Sequence, residues 1–253
     1  MKYFITEIKY RINDILSSRI KIEDDTLKNI REYGFAAIEN FISNKECEKL
    51  RYEIDQLCEK DFSWRDKSNS DIRIHGVENI NEHFSNLFDN ESILNIYKKY
   101  IDKNTLHKFI MTNRVIFTED NLGSGGGWHR DTINRRQLKF ILYLCDVDEN
   151  NGCFQYIPNS HKVLNKLKYN LVLGKKLSEF RFSMKDIEVL KEKLGVTIFD
   201  VKGKAGTLLI ADTSGLHRGK PIVSGKRYAA TNYMSEVQFA PQLLKLVLNE
   251  QNT

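Results

Sequence analysis

Gly206-Thr207-Leu208-Leu209-Ile210-Ala211-Asp212, with His217 five residues further on, is the stretch on which the fold turns. An apolar run this short, bounded by Gly and Asp, predicts a buried strand rather than a helix. Comparable runs occupy residues 109–117, 138–144, 153–157, 196–201 and 227–237, rich in Phe, Ile, Val and Tyr and punctuated by Gly and Asn. Several short strands without a crossover helix between each pair predict an antiparallel sandwich or barrel, not a parallel sheet.

Upstream the period is helical. Phe4, Ile5, Ile8, Ile12, Ile15 and Leu16 predict an amphipathic opening helix. Tyr33 to Ile38 reads as a short strand, and residues 93–101 as a short helix. Ser43 with Glu46 forms a capping box, after which Cys47, Leu50, Ile54, Leu57 and Cys58 share one helical face. Within the β region Ser183, Asp186 and the stop at Gly195 frame one helix that buries Ile187, Leu190 and Leu194. No repeat or Pro/Gly/Ser linker interrupts the chain. The expectation is a single domain over residues 1–253, mainly β with flanking helices: a helical flank over 1–106, a β core over 107–239, and a lid over 163–195.

Composition narrows the function. The chain has 253 residues, 41% of them hydrophobic, with 14 Phe and 11 Tyr, enough to build a core and exclude wholesale disorder. No apolar run approaches the roughly 18–20 residues that span a bilayer. The N-terminus meets Glu7 too early for a secretory signal, so the expectation is a soluble, cytoplasmic protein without a membrane partner. The net charge of +5 arises from 39 basic and 34 acidic residues spread along the chain. Clusters as short as Arg135-Arg136 and Lys175-Lys176 make no nucleic-acid stripe. Cys47 and Cys58 on one helix lie roughly 16 Å apart and cannot be bridged. Cys145 and Cys153 flank a predicted turn where pairing is geometrically open, and reduced thiols fit the cytoplasm.

Gly123-Ser124-Gly125-Gly126-Gly127 lacks the Lys-Ser/Thr of a phosphate loop and reads as a flexible approach to Trp128-His129-Arg130-Asp131. On a strand His129 and Asp131 point to one side, as two ligands of one metal must, and Trp128 points to the other. His217 supplies a third candidate ligand. A hairpin centred near Ile222 would set Arg227 directly opposite His217 on the neighbouring strand. Two His and one Asp match the facial triad of non-haem Fe(II) oxygenases, and an Arg beside them suits a second carboxylate. His161 reads as a structural hydrogen-bonding residue, and His75, His83 and His107 as surface or core residues. Arg73, Arg135 and Arg181 are candidates for the mouth of the site, though for each a solvated surface position is the simpler reading.

These motifs together resemble the phytanoyl-CoA dioxygenase family of Fe(II)- and 2-oxoglutarate-dependent oxygenases. Tyr33-Gly34-Phe35 through Phe41 and Glu46-Cys47 is similar to the family's opening segment, and Trp128-His129-Arg130-Asp131 to its ligand motif. Asp146 to Gly152 with Ile157-Pro158-Asn159-Ser160-His161 resembles a further signature, and Gly206 to Asp212 with His217 the strand before the distal His. The resemblance implies a double-stranded β-helix (jelly roll, cupin-like) core with N-terminal helices outside. It implies Fe(II) held by His129, Asp131 and His217, with 2-oxoglutarate as cosubstrate and O2 as oxidant. Arg227 would fix the remote carboxylate of 2-oxoglutarate, with Asn113 a further contact. The implied reaction hydroxylates an unactivated C–H bond of a small-molecule metabolite and releases succinate and CO2. Asp131 fills the position that a halide would need in a halogenase. Two departures stand out: Gly219 replaces a small hydroxyl residue that contacts the cosubstrate, and Thr118-Glu119-Asp120-Asn121 replaces a basic-Pro-Gly run. The alternatives are a non-catalytic jelly-roll ligand-binding protein and a cupin-like Zn(II) hydrolase or isomerase. Neither the primary substrate nor the oligomeric state is legible in the sequence.

Overall fold

Side chains on a strand alternate between two faces, and here one face is mainly apolar while the other carries charged residues among apolar and aromatic ones. On one face Ile72, Ile74, Ile110, Leu138, Phe140, Leu142, Leu208 and Ile210 form a single buried cluster with helical residues such as Ile54, Ile96 and Tyr97. On the other face the same strands present Asp71, Arg73, Asn113, Lys139 and Arg227 to a cavity.

The computed structural model describes residues 25–102, 106–133 and 135–247, so the expected opening helix over Phe4 to Leu16 lies outside the described residues. In chain order the first half runs α1 (Asp25–Tyr33), β1 (Phe35–Ile38), α2 (Asn44–Cys58), β2 (Trp64–Arg65), β3 (Asp71–His75), a 3-10 turn, α3 (Glu82–Ser85) and α4 (Glu91–Ile101). The second half runs β4 (His107–Ile116), β5 (Trp128–His129), β6 (Leu138–Tyr143), β7 (Phe154–Tyr156), α5 (Val163–Val172), β8 (Arg181–Phe182) and α6 (Met184–Leu194). It ends with β9 (Phe199–Val201), β10 (Leu208–Asp212), β11 (His217–Gly219), β12 (Lys226–Ser235) and α7 (Pro241–Val247).

Seven strands form the larger sheet in the order β1-β10-β6-β12-β4-β3-β2, and five form the smaller in the order β8-β5-β11-β7-β9. Facing each other, they make the double-stranded β-helix expected from the sequence. The helices of the first half cover the larger sheet: Tyr228 of β12 donates to Asp55 of α2 at 2.9 Å, and Arg114 of β4 pairs with the same carboxylate at 2.8 Å. The smaller sheet is covered by α5 and α6, where Trp128, Phe182, Ile187, Leu190 and Leu216 pack together. Of the segment over residues 163–195, Phe180 and Arg181 reach the cavity. Both capping boxes read from the sequence are present, at Ser43–Glu46 and Ser183–Asp186. All four cysteines are free thiols. No helix among the described residues is long and apolar enough to cross a membrane.

One expectation is corrected. His217 and Arg227 do not face each other across a hairpin: β11 pairs with β5 and β7, whereas β12 pairs with β4 and β6. The intervening segment passes from one sheet to the other. Pro221 has no N–H to give a ladder, and the backbone of Ile222 bonds instead to the Asn121 side chain, twice at 3.0 Å. Ile222 itself is fully buried, which fixes the crossing. His217 and Arg227 therefore approach the cavity from opposite walls.

The strand that delivers His217 is anchored at a crowded junction. Asp212 N–H donates to Gly34 O at 2.8 Å, and Tyr156 Oη donates to Asp212 O at 2.8 Å. Gly34 has φ +97, and a Cβ there would lie 2.4 Å from Tyr156 Oη and 2.6 Å from His161 Nδ1. Gly34→Ala is therefore expected to lose about 3 kcal/mol from strain and overpacking together. Urea unfolding of the two proteins measures this, and an unchanged midpoint contradicts it.

Candidate active site

The smaller sheet sets two imidazoles side by side. His129 on β5 is the antiparallel partner of His217 on β11, with ring centroids 4.3 Å apart. The glycine-rich approach is what admits the first ring. Gly125 has φ +89, and a Cβ there would stand 2.5 Å from His129 Cε1. Asp131 lies just past β5, held by its own N–H on Thr213 O at 2.9 Å.

Backbone carbonyls decide which nitrogen each ring presents. His129 Nδ1 lies 2.8 Å from Gly127 O, and His217 Nδ1 lies 3.0 Å from Gly215 O. A carbonyl only accepts, so both Nδ1 atoms carry the proton and both Nε2 lone pairs are free. Each Nε2 faces Asp131: His129 Nε2 is 3.5 Å from Oδ1, and His217 Nε2 is 3.7 Å from Oδ2. One ligand atom from each of the three residues falls within 4.8 Å of the other two. Burial, reinforced by His129, pushes the His217 imidazole down to about 3, so it is neutral near pH 7. Burial alone would raise the Asp131 carboxyl, but Lys139, His217 and His129 hold it well below the usual range. Two imidazoles whose Nδ1 atoms are engaged by carbonyls and one ionised carboxylate form a donor set that fits a divalent metal.

Lys139 was not singled out in the sequence. It sits on β6, nearly buried, with Nζ 2.7 Å from Asp131 Oδ2 and 4.3 Å from the centre of the Tyr233 ring. The contact pairs a buried ammonium with a buried carboxylate.

Arg227 enters from the larger sheet, buried, with Nη1 donating to Gly152 O and Nε without a partner among the described residues. In register, Asp71 stands opposite Val115, which stands opposite Arg227. Asn113 lines the same cavity, but its amide donates to Asp71 Oδ1 at 2.9 Å. Ser124 donates to Asp71 Oδ2 at 2.9 Å, and Arg73 Nε donates to that oxygen at 3.0 Å. Burial would raise the Asp71 carboxyl, yet Arg73 and Asn113 keep it below its ordinary value. Ser124 also explains Gly219. A Cβ at residue 219 would lie 2.9 Å from Ser124 Cβ, so the serine side chain fills the space where a side chain on residue 219 would begin.

The cavity has a volume of about 1010 Å³ and is lined from both sheets. One wall is aromatic: Phe109 stacks on Tyr233 at 4.6 Å and meets Phe239 edge-on at 4.8 Å. His75 lies beside Phe109, its imidazole pushed down to about 4 by burial and by Arg73. Of the arginines considered for the mouth, Arg73 and Arg181 line the cavity and Arg135 does not. Arg181 is spent partly on the glycine approach, donating to Gly125 O and to Gly126 O. His161 lies outside the cavity, where its Nε2 meets Arg31 O at 3.2 Å. Trp128 is buried on the far side of β5, as its alternation with His129 predicts. A signal for the missed Asp71 was present, since with Arg73 and His75 it alternates with Ile72 and Ile74. Lys139 similarly stands alone between Leu138 and Phe140.

Solved structures share this architecture at low identity. SnoN, an epimerase from nogalamycin biosynthesis solved with Fe3+, alpha ketoglutarate and nogalamycin RO, superposes with a TM-score of 0.63 at 14% identity, covering 83% of this chain and 82% of that one. HygX from Streptomyces hygroscopicus, solved with nickel, 2-oxoglutarate and hygromycin B, gives a TM-score of 0.60 at 16% identity, covering 87% and 89%. EctD from S. alaskensis with bound Fe gives 0.62 at 16% identity, covering 85% and 76%. No curated protein sequence matches the chain at a significant level. The family model for phytanoyl-CoA dioxygenase (PhyH) matches residues 30–229, from α1 through His129, Asp131 and His217 to Arg227 on β12, and the chain belongs to that family.

Proposed function

We propose that this chain is an Fe(II)- and 2-oxoglutarate-dependent oxygenase that hydroxylates an unactivated C–H bond of a small molecule, releasing succinate and CO2. The observation that carries the reading is the donor set. Two Nδ1-protonated imidazoles and an ionised carboxylate converge at the wall of a large cavity. His129, Asp131 and His217 would hold the iron, and bound iron would supply the activation of O2 that the decarboxylation of 2-oxoglutarate drives.

The chain's own part is positional. Gly127 O and Gly215 O fix the two rings, so no tautomer change is needed when the Nε2 atoms take a ligand. Arg227 offers a buried guanidinium with Nε unspent, a receptor for the remote carboxylate of the cosubstrate. Asp71 is paired with Arg73 and hydrogen-bonded by Asn113 and Ser124, which weakens its repulsion of that anion. Phe109 and Tyr233, the former backed by Phe239, give a small molecule an apolar surface to rest on.

Two measurements test this reading, and a third tests the packing of Gly219 against Ser124. Anaerobic Fe(II) with 2-oxoglutarate is expected to give the visible charge-transfer band of a chelated keto acid, and His129→Ala or His217→Ala to abolish it. A band that persists in both variants refutes the ligand assignment. Arg227→Ala is expected to raise the 2-oxoglutarate half-saturation about a hundredfold, roughly 3 kcal/mol for a broken charge-assisted pair, with Arg227→Lys recovering part. Succinate release against 2-oxoglutarate concentration reads this out, and equal half-saturation in wild type and Arg227→Ala removes the role. Gly219→Ser, which crowds Ser124, is expected to be destabilising by more than about 1 kcal/mol, and Ser124→Gly in the same chain to relieve it. Additive losses in that double-mutant cycle contradict the shared space.

A further inference from the structure

Resting on the iron reading above, we infer that Lys139 is a positioning residue that reserves Asp131 Oδ2, so that the carboxylate engages a metal through Oδ1 alone. The geometry of Asp131 makes this necessary. Its two oxygens lie at similar distances from the two imidazoles, Oδ1 at 3.5 Å from His129 Nε2 and Oδ2 at 3.7 Å from His217 Nε2. Both oxygens therefore look into the same triangle, and an unrestrained carboxylate would be free to clasp a metal with both. A clasp would use a position that the facial triad must leave open for cosubstrate and O2.

Lys139 blocks the second oxygen. Its ammonium lies 2.7 Å from Oδ2. It is also held over the Tyr233 ring at 4.3 Å, so it is fixed from two sides. β6 leaves it little freedom to leave, since Leu138 and Phe140 on either side are buried in the helix-facing cluster and turn the lysine inward. A buried cation beside a metal site opposes binding of the metal itself. Its presence is explained if it secures coordination number rather than affinity.

The test uses the full chain with Fe(II), 2-oxoglutarate and nitric oxide, an uncharged stand-in for O2. In Lys139→Met, Fe(II) is expected to bind as tightly as in wild type or more tightly, because a neighbouring cation is gone. The half-saturation for 2-oxoglutarate, read from the charge-transfer band, and that for nitric oxide, read from its paramagnetic resonance signal, are each expected to rise roughly tenfold, the worth of one strong contact. Lys139→Arg keeps the cation and is expected to stay within about threefold of wild type in all three. Weakening of Fe(II) together with both ligands would mean a merely structural role and would overturn the inference. Weaker 2-oxoglutarate with unchanged nitric oxide would reduce Lys139 to attracting an anion and would also overturn it. Lys139→Arg losses as large as those of Lys139→Met would do the same. Absence of the band in wild type would instead refute the iron reading, and the inference with it.

Discussion

One antiparallel rung, His129 opposite His217, holds the site together, and much of the smaller sheet is arranged to keep it in place. The rung is short. β5 contributes two residues and β11 three, so neither strand is long enough to fix its register alone. Register comes from outside the pair. Tyr156 stands beside His217 on β7, Thr213 holds the backbone of Asp131, and Ser160 Oγ accepts the N–H of Leu216 at 2.7 Å. Behind them Asp212, fully buried, accepts from Tyr100 at 2.7 Å and from Ser214 N–H at 2.9 Å. Buried polar groups that are this fully satisfied rigidify their surroundings. The helical flank thereby reaches the metal site through Tyr100, a residue of α4.

The larger sheet solves a different problem, which is to hold charge in a partly dry cavity. Its answer is pairing. Asp71 takes Arg73, Asn113 and Ser124; Asp131 takes Lys139. An unpaired charge in such a place costs several kcal/mol, whereas a paired one is tolerated. Arg227 differs, since among the described residues its side chain donates a hydrogen bond to a carbonyl and meets the Asp71 carboxylate only through space. An arginine given so little inside the chain is suited to an anion that comes and goes.

The fold and the triad were legible because each rests on local signals. Short β-rich runs set the strands, capping residues set α2 and α6, and the H-x-D spacing with a distal His set the candidate ligands that the fold brings together. The placement of Arg227 was legible only in part. Its role needed a partner wall, and the sequence reading chose a neighbouring strand because the turn residues of 219–225 suit a hairpin. The outcome hinged on Asn121, about a hundred residues upstream, whose side chain takes the backbone of Ile222. No periodicity reports such a contact. Lys139 and Asp71 escaped for a related reason: a charged residue in a strand is ambiguous until the opposite wall is known. Asn113 is expected from the resemblance to contact the cosubstrate, yet its amide is directed to Asp71, which only the three-dimensional row of β3 and β4 reveals.

The sorting of side chains in the larger sheet has a further consequence, for how such a protein can change. Residues that face the helices, such as Phe140 and Leu142, carry the hydrophobic cluster, while Met111, Ile141 and Thr231 one position away border open space. Exchanging a side chain of the first kind leaves a hole or a clash, whereas exchanging one of the second kind alters mainly the outline of the cavity. Adjacent codons thus fall under different selective regimes. A lineage can drift toward new small molecules at positions such as Met111, Ile141 and Thr231, while Lys139 and Arg227 on the same face and the helix-facing residues stay as they are.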